Sequence, residues 1–227
     1  MTTPRHPLLA LALLVPAPTL GALAGLWWFP GTALGTGLFL AAKLWLLALP
    51  LAWHRAVDCG RWSWSPPRQG GFAVGLISGV LIAGLVVTAW LVLGGGLIDR
   101  AAVRATAATT GLDDPGAYLV MALYWCSLNA VLEEYVWRWF VAGQAASLLP
   151  RAGAVVLAAL AFTAHHVIAL RAYFDWPVVL LGALGVAIGG AWWSWMYLRY
   201  RSIWPGLLSH ICADIAVFAI GWQLVVA

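Results

Sequence analysis

Val131-Leu-Glu-Glu-Tyr-Val-Trp-Arg-Trp-Phe140 sets two carboxylates and a guanidinium inside a run that is otherwise apolar from about residue 116 to residue 149. Glu133 and Glu134 are the only glutamates in the protein. At the centre of a membrane helix each such charge costs roughly 2.5–3.5 kcal/mol, so three of them, unpaired and facing lipid, cost roughly 8–10 kcal/mol. A chain this poor in charge needs partners for them or a water-filled cavity around them.

Composition sets the class. Hydrophobic residues make up 63% of the 227 and charged residues 9%, against about 25% charged in an average soluble domain. This excludes a water-soluble globule. Seven apolar segments, near 7–28, 33–53, 72–94, 116–147, 153–170, 177–198 and 203–225, each approach the ~20 residues that span a bilayer. The expected fold is all-α, a polytopic transmembrane helix bundle around an intramembrane polar cavity. It forms one integral membrane domain over 1–227, with spans lacking motifs in 1–95 and a motif-bearing core in 116–216. The first span, with Arg5 and His6 before it, reads as retained rather than as a cleaved signal peptide, because Trp27, Trp28 and Phe29 continue it as an aromatic anchor.

Basic residues sit singly in the breaks, with no stripe that would suit nucleic acid. With the N-terminus cytoplasmic, Arg5, Arg55, Arg61, Arg68, Arg151, Arg199 and Arg201 lie inside and Arg100, Arg104 and Arg171 outside. Seven against three favours N-in and C-out, in a cytoplasmic (inner) membrane. Residues 95–115 form an outer loop with a short interfacial helix over 97–108. Three cysteines (Cys59, Cys126, Cys212) without paired spacing imply neither a disulfide framework nor a cysteine zinc site. Small-residue pairs at Gly21/Gly25, Gly75/Gly79 and Gly185/Gly189 predict close helix packing inside the bundle. Tryptophans near segment ends, with Trp192, Trp193 and Trp195 among them, read as interfacial belts.

Helical geometry sorts the charges. Glu134 and Arg138 are four residues apart, about 40° around the axis, and can pair; Glu133 points about 140° away from Arg138 and stays free for the bundle interior. Asn129 precedes Glu133 by four residues and can hydrogen-bond it. Of the adjacent His165 and His166 at most one faces the glutamate. His166 shares a face with Phe162, and His165 reads as structural. His210 and Asp214, again four apart, suit metal chelation or an aspartate orienting an imidazole. A carboxylate, two imidazoles and a further acid from three spans suit activation of water against a carbonyl. A buried charge cluster that merely locks the helices is the plainer reading of each motif alone.

In order, Glu133-Glu134-x-x-x-Arg138, Phe162-x-x-x-His166 and His210-x-x-x-Asp214 resemble the three motifs of the CAAX-processing and bacteriocin-processing intramembrane proteases. The run Ser202-Ile-Trp-Pro-Gly-Leu-Leu-Ser-His210 is also similar to that family's approach to its third motif. The resemblance implies hydrolysis of a peptide bond in a membrane-associated or lipidated protein or peptide. It implies Glu133 as the base, His166 holding the water, His210 and residue 214 stabilising the oxyanion, and Glu134 and Arg138 as support. The prenyl-protein proteases of the family usually carry asparagine where this chain has Asp214, and an ionised carboxylate cannot donate to an oxyanion. No cofactor is required on this reading. A divalent ion such as zinc, on Glu133, His166, His210 and Asp214, is the alternative. The rival functions are a proton- or ion-coupled carrier and a non-catalytic immunity or scaffold protein. One difficulty is depth: as drawn, His166 and His210 lie ~14 Å apart along a ~30 Å core, which predicts that residues 167–176 dip into the protein.

Overall fold

The computed structural model describes residues 4–227. Among these described residues run eight helices, α1 (Pro7–Trp28), α2 (Ala33–Val57), α3 (Phe72–Leu97), α4 (Arg100–Ala108), α5 (Pro115–Ala145), α6 (Arg151–Arg171), α7 (Trp176–Tyr200) and α8 (Trp204–Val225). All but α4 are long and apolar enough to cross a membrane. Backbone groups have no water to bond in a bilayer, so each apolar run closes its own hydrogen bonds as a helix. The protein is an all-α, multi-pass integral membrane bundle. The short α4 falls in the connection where a helix was expected, starting three residues later than predicted because Asp99 caps it, accepting from the Ala102 amide at 3.1 Å.

Four-residue and shorter connections make α1/α2, α6/α7 and α7/α8 antiparallel neighbours. Glycine sets the close approaches. Gly21 and Gly25 of α1 face Ala42 and Phe39 of α2. Gly75 of α3 lies on the Pro205 carbonyl of α8, and Gly79 lies on Ser209 and Cys212, with Ser78 Oγ donating to Ser209 Oγ at 3.2 Å. These two pairs pack as expected. The third does not: Gly185 faces open space and Gly189 only Trp193 of its own helix, while Gly190, one residue on, meets Ala159 and Phe162 of α6. A pattern of small residues marks candidates, but the rotation of the helix decides which one lands in the interface. Gly75→Ala places a methyl against backbone that cannot swing away. A loss of about 1–3 kcal/mol, read as a lower melting temperature in detergent, is the expected result.

The core lies around the second half of α5. Leu119, Val120, Leu123 and Leu128 are exposed on its first half, whereas Trp137, Arg138, Val141, Ala142 and Ala145 are buried. Helix α5 therefore enters along the bundle surface and ends inside it. Its backbone opens into wide, π-type turns at Trp125–Asn129 and Glu134–Ala142, a geometry that often accompanies functional sites.

Two expectations are corrected. Residues 167–171 simply continue α6 and only 172–175 turn, so there is no dip there. The depth difference is met from the opposite end, where α8 starts recessed. Gly206, about 3 Å along α8, sits level with Trp193, about 10 Å from the end of α7. The loop 58–71 closes over this recessed start. Ser202 Oγ donates to the Ser65 carbonyl (2.7 Å), Ile203 N to Ser65 Oγ (3.0 Å), and Trp204 Nε1 to the Trp64 carbonyl (2.9 Å). Irregular backbone at depth is tolerated where protein satisfies it. The second correction concerns the tryptophan belt. Trp27, Trp28, Trp62, Trp64 and Trp176 are exposed as belts require, but Trp53 and Trp193 are buried. Trp53 is held by its Nε1 on the Arg5 carbonyl and Trp193 by its Nε1 on Ser209 Oγ.

Candidate active site

Helix α5 presents Glu133 and Glu134 on its buried half, and α8 brings His210 between them. His210 Nδ1 lies 3.1 Å from Glu134 Oε1, and Nε2 lies 3.5 Å from Glu133 Oε2 and 3.6 Å from Asp214 Oδ1. The imidazole is clamped by three carboxylates and stacked face to face on Trp193, ring centroids 4.1 Å apart. Glu134 Oε1 also lies 3.2 Å from Arg138 Nε. The expected division of labour is present: Glu134 pairs with Arg138, and Glu133 looks elsewhere. Arg138, fully buried, has no well-aligned hydrogen bond on any of its nitrogens. Its guanidinium instead lies over Phe162 (4.4 Å) and Trp193 (5.3 Å), so charge and ring faces hold it together. Glu134 has almost no room to move, since even a methyl on Gly206 would come within 2.8 Å of its Oε2.

Helix α6 supplies the other imidazoles. His166 Nδ1 lies 2.8 Å from the Phe162 carbonyl. A carbonyl only accepts, so Nδ1 carries a proton, and whenever the ring is neutral Nε2 is the bare nitrogen. Ligating atoms of Glu133, His165 and His166 all lie within 4.8 Å of one another. The structural role expected for His165 is only part of what the fold gives it. It does stack on Trp137 (5.3 Å, interplanar 9°), yet its Nδ1 is buried without a partner and the residue converges on Glu133 with its neighbour. Among the described residues, the group that could hold a cation is thus Glu133, His165 and His166. His210 and Asp214, in the expected ligand set, stand outside it, engaged with Glu134 and with each other. Side chains of two adjacent helical residues converge here because Glu133 sits across the gap between them, a placement no single-helix periodicity encodes.

Asn129 Nδ2 donates to Glu133 Oε1 at 2.8 Å, as the four-residue spacing predicted. Its Oδ1 in turn accepts from Lys43 Nζ of α2, also at 2.8 Å. Lys43 is the only lysine of the chain, and no motif surrounds it in the sequence. Glu133, His165, His166 and Lys43 face a cavity of about 240 Å³, whose remaining wall is apolar and comes largely from α1 and α2 through Ala22, Leu26, Phe39 and Leu46. The first two spans carry no motif but close the chamber. His210 and Asp214 lie behind Glu133, off the cavity wall.

This is a carboxylate with one oxygen anchored, beside an imidazole with an open nitrogen, in an apolar chamber inside a membrane bundle. Residues 115–216 match the family model described as type II CAAX prenyl endopeptidase Rce1-like. The matched segment is similar to the CAAX prenyl endopeptidases and spans less than half of the chain. It runs from the start of α5 into α8 and contains all three motifs, while α1 to α3 lie outside it. No curated protein and no solved structure matches the chain.

Proposed function

We propose that the protein is a glutamate-type intramembrane endopeptidase in which Glu133 activates water for attack on a peptide carbonyl near a lipidated or membrane-proximal end. The observation that carries this reading is the convergence of Glu133 and His166 on one cavity. One proton of a water goes to Glu133 and the other points at the bare Nε2 of His166, leaving an oxygen lone pair for the carbonyl. His210 and Asp214 lie behind Glu133, off the cavity wall, so His210, 3.5 Å from Glu133 Oε2, would hold that carboxylate from the side away from the cavity. Among the described residues, Glu133, Glu134 and Asp214 face two fixed cations, Lys43 and Arg138. One proton held by the His210–Asp214 pair balances the cluster. Glu134 and Arg138 hold this arrangement in place, and Phe162 orients His166. The topology that fits the loop charges keeps the N-terminus cytoplasmic and the C-terminus outside.

The test uses the purified chain in lipid–detergent micelles with a farnesylated CAAX peptide and with extracted membrane peptides, read by mass spectrometry. New termini are expected with the native chain and none with His166→Ala; equal cleavage by both sinks the proposal. Chelator treatment is expected to leave the rate unchanged, since this mechanism needs no further component. A rate abolished by chelator and restored by zinc would move Glu133, His165 and His166 into the role of metal ligands.

A further inference from the structure

We infer that Lys43 is a positioning residue of the active site, which locks the Asn129 amide so that it holds the Glu133 carboxylate in its working orientation. The inference rests on the reading of Glu133 as the base. Lys43 lies in α2, outside the matched segment and with no motif around it. A lone lysine at mid-span is expensive in lipid, yet this one is turned inward, half-buried, with its ammonium over the Trp125 ring at 4.8 Å.

The chemistry of the three groups fixes the direction of the chain. An ammonium only donates, so the atom of Asn129 that faces it at 2.8 Å must be Oδ1. The carboxamide nitrogen is then forced toward Glu133 Oε1, also at 2.8 Å. With Oε1 anchored, Oε2 is the oxygen left toward His210. Remove the ammonium and only the carboxylate still orients the amide, whose Oδ1 is left without the donor that fixed it from the other side. Flipped, it would set its own carbonyl oxygen against the carboxylate. Lys43 therefore acts on Glu133 through Asn129, at two hydrogen bonds' remove, and gives α2 a purpose beyond walling the chamber.

Lys43→Met keeps the length and the apolar stem. It is expected to lower kcat roughly 10–100-fold, the usual cost of losing the group that orients a reacting side chain, with KM and melting temperature unchanged. Lys43→Arg, which can still donate to Oδ1, restores most of the rate. In an Asn129→Ala background, Lys43→Met costs nothing further, because the two act as one unit. A readout independent of turnover is the infrared carboxylate band of Glu133, assigned by difference against Glu133→Gln. It should shift in Lys43→Met and return in Lys43→Arg. An unshifted band, or a kcat at the native value, overturns the inference, as does a loss confined to KM, which would make Lys43 a substrate contact. If Glu133→Gln itself retains full turnover, the reading of Glu133 as base is what fails, while the band still reports on Lys43.

Discussion

Glu133→Gln lowers peptide turnover by about 10²–10⁴-fold, the range for removing a positioned general base, while leaving the bundle folded and substrate bound. The substitution is gentle on the surroundings. The amide oxygen of the glutamine can still accept from Asn129 Nδ2, as Oε1 does now at 2.8 Å. Its nitrogen takes the place of Oε2, 3.5 Å from His210 Nε2, and the imidazole keeps Asp214 Oδ1 as its partner at 3.6 Å. What the glutamine cannot do is take a proton from water. The measurement is the single-turnover rate on the labelled peptide, with capture of the peptide on immobilised protein as the control for binding. The same variant separates the rival functions. A scaffold or immunity protein keeps its phenotype, because its fold and surface are unaltered. A carrier that uses the acid as a relay loses proton-coupled uptake into vesicles and shows no peptide product in either form. Native turnover by Glu133→Gln would remove the hydrolase reading altogether.

How much of this was visible in the residues follows from what a bilayer demands. The apolar runs had to be helices long enough to cross about 30 Å, and the segments read near 33–53 and 153–170 appear as Ala33–Val57 and Arg151–Arg171. The errors are at the ends. His54 and Arg55 looked like a boundary, but α2 carries them past it, with His54 bonding the Arg61 carbonyl and Arg55 the Gly60 carbonyl. Contacts within one helix were equally legible: Asn129 to Glu133, Glu134 to Arg138 and His210 to Asp214 are all four residues apart. The wide turns of Glu134–Ala142 did not undo the Glu134–Arg138 pair, since a residue four positions on stays on nearly the same face.

Contacts between helices were the part left unread. Trp193 sits near the end of a span, where tryptophans anchor to the interface, and nothing local says that α8 starts recessed and turns His210 onto its ring. Lys43 is a single cation on an apolar helix, and the acid it serves is 90 residues away. His165 carries the same local signature as His166; only the position of Glu133 between them makes both converge. Each of these depends on the rotation and height of one helix against another, which packing decides after the helices exist. The depth mismatch between His166 and His210 was nonetheless a real signal. The dip it predicted over 167–176 is absent, and the irregular backbone lies instead at 201–203 beneath the loop 58–71.

Arg138→Met is expected to cost about 3–5 kcal/mol of stability, since removing one partner of a buried pair leaves the other charge uncompensated. Glu134 is fully buried, its Oε2 has no hydrogen-bond partner, and Oε1 is shared between Arg138 and His210. Without the guanidinium only the imidazole remains to neutralise it. Two further variants show whether charge or shape is being lost. Arg138→Lys keeps the cation but not the planar group lying over Phe162 at 4.4 Å, so an intermediate loss is expected. In Glu134→Gln/Arg138→Met both charges go together. The glutamine oxygen still accepts from His210 Nδ1, the thioether fills the space between Phe162 and Trp193, and most of the stability returns, because a well-packed neutral replacement of a buried pair is often no worse than the pair. Thermal unfolding in one detergent, for all three variants and the native chain, is the measurement. If the double variant melts below Arg138→Met, the rings of Phe162 and Trp193 hold this site through the shape of the guanidinium, and the charge on Glu134 contributes little.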